Sequence, residues 1–108
     1  MPNLGLGTPG YMSPEQFKDS KNVDFRSDIF SLGATMFFLL TGKRPFEGST
    51  PMETYEDTRN NTPPDAARFD GRCSPECIAL IRRMMRLKPE ERYSGYDELL
   101  AEIDSLLA

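Results

Sequence analysis

An apolar run near the middle of the chain restricts the possible folds more than any other feature. Its twelve residues, IFSLGATMFFLL at positions 29–40, are too few to span a bilayer and include small and polar side chains. The flanking sequence predicts a helix over residues 27–41 that stops at Gly42, a residue type common just past a helix end. A helix that is apolar on nearly all sides should be surrounded by protein, so we expect the chain to fold around it.

Short helices and loops are predicted on both sides of this central helix. The sequence Ser-Pro-Glu begins at Ser13 and again at Ser74, and each copy supplies a capping serine, a first-turn proline and a first-turn acid. A short amphipathic helix is predicted over residues 51–59, and Ser94 with Asp97 predicts a capping box before the last helix. No strand pattern appears, so the predicted fold class is all-α.

The last two predicted helices carry apolar side chains at helical spacing. These positions are Ile78, Ile81, Met84 and Met85 in the first helix, and Tyr96, Leu99, Leu100, Ile103, Leu106 and Leu107 in the second.

Composition limits the partners of the chain. It has 108 residues, enough for one small domain, and a net charge of −4. This charge argues against nucleic acid or an anionic membrane, because no overall basic field attracts phosphate. No secretory signal and no membrane-spanning segment are visible in the sequence, so a cytoplasmic, reducing location is expected.

The residue types present also exclude several chemistries. The chain contains no histidine, which removes His-based metal sites, Ser-His-Asp and Cys-His catalysis, and a histidine general base. Cys73 and Cys77 alone cannot complete a four-ligand zinc site. Two partly buried free thiols one helical turn apart are favoured over a metal site or a disulfide.

The beginning of the chain contains a glycine pattern that occurs in phosphate-binding loops. GLGTPG, from Gly5 to Gly10, has the spacing G-x-G-x-x-G. Such a loop follows a strand, but only four residues precede Gly5, and Pro9 lacks a backbone N–H for an anion. Met12 stands where a nucleotide loop of a kinase has valine. Phosphate binding at this loop is therefore disfavoured.

A different reading accounts for these residues and for two later blocks. GTPGYMSPEQ resembles the end of the activation segment in eukaryotic-type serine/threonine protein kinases, and its residues are most similar to those of the bacterial members. RSDIFSLGATMFFLLTGKRPF resembles the long central helix of the kinase C-lobe, with the family signature at Asp28, Ser31 and Gly33. LIRRMMRLKPEERYSGYDELL resembles the last two helices, with the family arginine at Arg92. The three blocks occur in the order of the family and cover nearly the whole chain.

The resemblance implies a substrate loop at the start of the chain. Gly7, Thr8, Pro9, Gly10 and Tyr11 would line the substrate pocket. Thr8 would hydrogen-bond the catalytic aspartate and lysine of a serine/threonine kinase.

The resemblance also implies structural roles for charged residues. Ser13, Pro14 and Glu15 stand for the Ala-Pro-Glu signature of kinases, and Glu15 would pair with Arg92. Asp28 would accept hydrogen bonds from the backbone of the catalytic loop. Taken as isolated residues, Glu15, Arg92 and Asp28 could equally be surface charges or helix caps.

The parts of a kinase that act on ATP are not found in the sequence. Phosphoryl transfer needs a nucleotide loop, a strand lysine, a catalytic-loop aspartate and a metal-binding Asp-Phe-Gly. The chain has no His-Arg-Asp and no Asp-Phe-Gly. No catalytic, cofactor-binding or metal-binding residue is therefore predicted, and ATP and magnesium are assigned to the intact parent kinase only.

The predicted organisation is a partial kinase domain, the helical half of a C-lobe, over residues 1–108, with the N-lobe and catalytic loop absent. Residues 1–15 would form the end of the activation segment and the substrate loop, 27–41 the central helix and 74–107 the last two helices, with about three helices after the central one.

Two functions are compatible with this organisation. The first is a fragment of a serine/threonine protein kinase, a transferase acting on protein substrates in the intact parent, that is inactive alone. The alternative is a non-catalytic interaction or self-association module. Residues 29–40 and the pair Met84 and Met85 would be partly bare without the rest of a kinase, which predicts a homodimer or the exchange of a strand or helix between chains.

Overall fold

The computed structural model describes residues 9–19 and 21–107, and within them the chain is helical with no strand. The α-helices are α1 (Pro14–Lys18), α2 (Phe25–Thr41), α3 (Pro51–Asn60), α4 (Pro75–Met84) and α5 (Tyr96–Leu107). Short 3-10 turns occur at Pro9–Tyr11, Ala66–Phe69 and Pro89–Glu91. The predicted all-α fold class is confirmed. None of the helices in the described ranges is long and apolar enough to cross a membrane.

The central helix α2 begins two residues before the predicted start at residue 27. The Asp24 side chain caps it by accepting a hydrogen bond from the Arg26 N–H at 2.9 Å. Ser27 is therefore inside the helix and buried. The end is as predicted, because Gly42 adopts a left-handed φ of 72° and donates its N–H to the Phe38 carbonyl at 2.7 Å.

The core lies between α2 and α4. The prediction that Met84 and Met85 are partly bare is wrong, since both side chains are 0% exposed. Gly33 explains their burial: a Cβ on this residue would lie 2.8 Å from the Met85 Cγ and 3.0 Å from the Met84 Cβ. The missing side chain lets α4 approach α2. The other buried core residues are Tyr11, Ile29, Phe30, Ala34, Phe37, Phe46, Phe69, Leu80, Ile81, Tyr93 and Leu99.

One face of α2 is not covered by the described chain. Leu32 is 44% exposed and Leu39 is 65% exposed, and Met36 lies between them at helical spacing. The expectation that protein surrounds this helix is thus wrong for one face. The expectation of partly bare apolar surface on residues 29–40 holds there, although Ile29 itself is buried.

The last helix differs from the sequence-based description at its start and along its apolar stripe. Ser94 does not pair with Asp97; its N–H donates to the Glu98 Oε1 at 2.8 Å, and its hydroxyl lies 3.1 Å from the same oxygen. In the stripe only Leu99 is fully buried, while Leu100 is 56% and Leu107 80% exposed.

Replacing Gly33 with Ala is expected to lower the free energy of unfolding by about 1–3 kcal/mol, because the new methyl group overpacks the α2–α4 contact. Chemical denaturation measures this change. Gly95→Ala is the matched control: nothing lies within 4 Å of an added Cβ at that position. We expect it to change stability by less than about 0.5 kcal/mol. Equal effects of the two substitutions would contradict close packing at Gly33.

Candidate functional site

The 3-10 turn Pro9–Tyr11 is fixed to the central helix. The Ser31 hydroxyl donates to the Tyr11 carbonyl at 2.7 Å, and the buried Tyr11 ring meets the Phe38 ring edge-on with centroids 6.4 Å apart. An added Cβ on Gly10 would lie 3.2 Å from the Phe46 carbonyl oxygen, so close packing accounts for this glycine. The turn therefore has one defined position against α2.

The Ser13-Pro14-Glu15 segment continues this anchoring. The Ser13 N–H donates to the Gln16 side chain at 2.8 Å, which fixes the start of α1. The buried Ser13 hydroxyl lies 2.9 Å from the Ser27 hydroxyl, which in turn donates to the Glu15 carboxylate at 2.8 Å. The side chain of Ser27, which belongs to α2, thus connects the cap of α1 to the Glu15 carboxylate.

Glu15 and Arg92 form the ion pair that the resemblance implies, across 77 positions of sequence. The two Arg92 amino groups donate to the two Glu15 carboxylate oxygens at 2.5 and 3.0 Å. The Arg92 side chain is 0% exposed and that of Glu15 is 26% exposed. Such a bidentate pair fixes both position and orientation of the carboxylate.

The remaining Arg92 donors are also paired. Its Nε donates to the Arg86 carbonyl at 2.8 Å, and its amino groups reach the carbonyls of Arg26 at 3.1 Å and Leu87 at 3.3 Å. The guanidinium carbon lies 4.9 Å from the centre of the Phe30 ring. All five guanidinium N–H groups therefore have partners, which a buried charge requires.

The pKa of Glu15 reflects these contacts. Burial acts to raise it, but the hydrogen bonds and positive charge of Arg92, with the Ser27 hydroxyl, outweigh burial and hold this pKa below its usual range. The carboxylate is charged at neutral pH and stabilises the fold in that form.

Asp28 lies apart from this ion pair. It is exposed near the start of α2, and its carboxylate lies 3.5 Å from the Tyr96 hydroxyl of α5. Its expected partner, the catalytic-loop backbone, would have to come from outside this sequence, so its role stays a prediction. Gly7 and Thr8, the other expected substrate-loop residues, lie outside the described residues.

A concavity of about 300 Å³ lies beside the Pro9–Tyr11 turn. Pro9 and Gly10 form one wall, and the rest is formed by the start of α3 together with Arg44, Phe46, Glu47, Gly48, Ser49 and Thr50. Sequence reasoning did not single out Arg44 or Phe46. The available signal was GKRPF, directly after the end of the central helix, within a block that resembles the kinase family.

The described residues were expected to hold no metal ion, and their carboxylates and thiols are dispersed. No group of three or more Cys, Asp or Glu in the described ranges is placed to hold a metal. Cys73 and Cys77 are half-buried free thiols. Burial, and then the neighbouring Cys77, raise the pKa of Cys73 to about 11, so this thiol stays protonated at neutral pH. No reaction step through ATP and magnesium is assigned to these residues.

Comparison with known proteins gives a consistent set of matches. The protein kinase domain family matches residues 3–103. PknB from Mycobacterium tuberculosis is 36% identical over 99 residues, covering 91% of this chain and 16% of that protein. The probable serine/threonine-protein kinase SCO3848 from Streptomyces coelicolor is 34% identical over 102 residues, covering 94% of this chain and 15% of that protein.

A solved structure shows the same likeness. The crystal structure of Rad53 1–466 in complex with AMP-PNP matches with a TM-score of 0.73 and 26% identity, covering 90% of this chain and 25% of that chain. The chain thus spans only about 16% of the length of a curated relative such as PknB.

Removing the charge of Glu15 should strongly destabilise the protein. Glu15→Gln leaves the Arg92 charge buried without a counter-charge, which is expected to lower the free energy of unfolding at pH 7 by about 3–5 kcal/mol. Because the folded-state pKa is depressed, this contribution is complete above the ordinary value of 4.5 and is lost as the pH falls through the folded pKa. Urea unfolding from pH 7 to pH 3 measures both effects.

The matched control is an exposed ion pair. Lys43 and Asp70 lie 3.3 Å apart with side chains 67% and 48% exposed. Asp70→Asn should cost less than about 1 kcal/mol at pH 7. A Glu15→Gln effect no larger than this, or one that does not shrink on acidification, would show that the buried pair is not stabilising.

Proposed function

Since this chain belongs to the protein kinase domain family and matches bacterial serine/threonine kinases, we propose that it is the substrate-side part of the C-lobe of such a kinase. The observation that carries the proposal is the buried Glu15–Arg92 pair, which ties the Ser-Pro-Glu segment to the elements after α4. A loop held in this way can present a protein hydroxyl in one geometry.

The substrate in the parent enzyme would be a serine or threonine of another protein. Support comes from the Thr8-Pro9 sequence, which in the family resemblance marks serine/threonine rather than tyrosine kinases. The concavity between the Pro9–Tyr11 turn and α3 offers room for part of a bound peptide. Arg44 and Glu47 both line it, so it offers one charged group of each sign to a peptide.

Alone, this chain would not transfer phosphate. The sequence has no His-Arg-Asp, no Asp-Phe-Gly and no strand lysine motif, so nothing in it corresponds to the groups that bind magnesium or accept the proton. Its part in the reaction is to bind and orient the acceptor; the remaining groups would belong to the intact parent.

Self-association is a second candidate function, favoured by one observation. Leu32 and Leu39 expose apolar side chains on one face of α2, where a second copy could bury them. This homodimer and a cytoplasmic location remain predictions.

A segment exchange tests the kinase proposal. Residues 3–103 should replace the matching segment of M. tuberculosis PknB with retention of phosphate transfer to serine and threonine peptides, while the isolated chain with ATP and magnesium transfers none. In the exchanged enzyme, Thr8→Ala should lower kcat about 100-fold through lost positioning, with the KM for ATP unchanged. Thr8→Ser, which keeps the hydroxyl, is the matched control.

Two outcomes would contradict this proposal. Phosphate transfer by the pure isolated chain would show that its role is not limited to positioning the protein substrate. If the exchanged PknB is folded and binds ATP but transfers no phosphate, residues 3–103 do not position the protein substrate.

Sedimentation tests self-association. If α2 pairs with a second copy, Leu39→Glu should raise the dimer dissociation constant at least about tenfold, since a charge then faces apolar surface. Met52→Glu is the control, because Met52 is 64% exposed on α3, close to the 65% of Leu39. A monomer at all concentrations would exclude this function.

A further inference from the structure

A depression of about 350 Å³ lies where α1, α3 and the connection between α4 and α5 meet, and we name it the α1–α3 pocket. Its apolar lining is Pro14, Tyr55, Leu87 and Pro89. Leu87 is 38% exposed, and the other three are buried or half-buried. A pocket of this size suits one or two side chains of a ligand rather than a whole helix.

The rim of the α1–α3 pocket carries three positive charges. Lys18 of α1, Arg59 of α3 and Lys88 of the α4–α5 connection all line it. None of the three forms an ion pair with any residue in the described ranges. Three separate segments therefore bring uncompensated cations to one depression.

Two carboxylates also line the pocket, but only one of them reduces its charge. Glu15 is neutralised by its ion pair with Arg92, which leaves Glu90 against the three cations. Three positive charges and one negative charge give the lining a net charge of +2, although the chain as a whole has −4. The pocket is thus a local site of positive potential on an acidic chain.

Aromatic contacts hold one of the cations in place. The Arg59 guanidinium carbon lies 5.7 Å from the centre of the Tyr55 ring, and that ring packs against Phe17 with centroids 5.1 Å apart. A cation over an aromatic face is attracted by the ring. The Arg59 charge is therefore positioned beside the apolar lining of the pocket.

Charge also distinguishes this pocket from the uncovered faces of α2 and α5. Those faces are apolar, with Leu39 65% and Leu107 80% exposed, and the remainder of a kinase domain would cover them. None of the residues that line the α1–α3 pocket belongs to α2 or α5. Its rim consists of exposed lysine and arginine side chains, which are almost never buried within a domain unless they are paired. The pocket therefore suits a ligand that binds reversibly from water better than a permanent part of the same domain.

We propose that the α1–α3 pocket binds a phosphorylated serine or threonine of another protein, with an apolar side chain beside the phosphate. A phosphate monoester carries a charge of about −1.5 to −2 at neutral pH, which complements the lining, whereas a single carboxylate would leave one cation unmatched. Lys18, Arg59 and Lys88 would bind the phosphate oxygens, and the apolar neighbour would pack on Tyr55 and Leu87. This inference does not rest on the proposed kinase function, because described residues form every wall of the pocket.

Three short fluorescent peptides, identical except at one position, test the phosphate requirement on the full chain. That position holds phosphoserine, glutamate or serine and is followed by leucine. At low salt, fluorescence anisotropy should show the phosphoserine peptide binding at least about tenfold tighter than the serine peptide, with glutamate between them and the differences shrinking as salt is added. Equal binding of the phosphoserine and serine peptides, or binding of neither, would overturn the proposal. Inorganic phosphate that binds as tightly as the phosphoserine peptide would also overturn it, since the apolar neighbour would then contribute nothing.

Variants with the same change of net charge locate the site. Arg59→Glu should weaken the phosphoserine peptide at least about tenfold, whereas Arg72→Glu, at an exposed position outside the pocket, should change its affinity less than about twofold. Glu90→Lys should instead tighten binding, a gain that a damaged fold would not produce. Equal effects of Arg59→Glu and Arg72→Glu, or weaker binding by Glu90→Lys, would overturn the proposal.

The exchanged PknB separates a partner protein from the rest of a kinase domain as the occupant. Its affinity for the phosphoserine peptide should agree with that of the isolated chain within about threefold, because the pocket stays open. Loss of binding in an exchanged enzyme that still binds ATP would show that the same domain covers the pocket and would overturn the proposal.

Discussion

The buried Arg92 guanidinium is the interaction on which the rest of the structure depends. Its five N–H groups reach the Glu15 carboxylate before α2, the Arg26 carbonyl within α2, and the Arg86 and Leu87 carbonyls after α4. One side chain therefore connects three segments that are distant in sequence. A smaller or neutral residue would leave a carboxylate and three carbonyls without these donors, so the cost would exceed that of a single lost ion pair.

The candidate substrate loop takes its position from this connection and from α2. Ser27 contacts both Ser13 and Glu15, and one turn further along, Ser31 holds the Tyr11 carbonyl. The two serines lie four residues apart on one face of the helix, so a single helix sets the position of the whole segment. Close packing of the helix against α4 at Gly33 then sets where that face points, because α2 cannot shift without disturbing Met84 and Met85.

Local sequence signals correctly predicted the helix ends that depend on nearby residues. The helix starts after Ser13 and Ser74 and the stop at Gly42 agree with the structure, since each depends on residues within one turn. The start at Phe25 was missed because Asp24 is the capping residue, and the buried Met84 and Met85 were missed because their cover lies on another helix. The Glu15–Arg92 pair was accessible only through family resemblance, as its members are 77 residues apart.

Helical periodicity also predicted an apolar stripe on α5 without indicating what would cover it. Burial of such a stripe depends on a neighbouring surface, and the described chain buries Leu99 fully and Ile103 partly and places the Phe25 ring against Tyr96. The uncovered surfaces of α2 and α5 meet at Met36, so neither apolar stripe can be assigned a cover from its own periodicity.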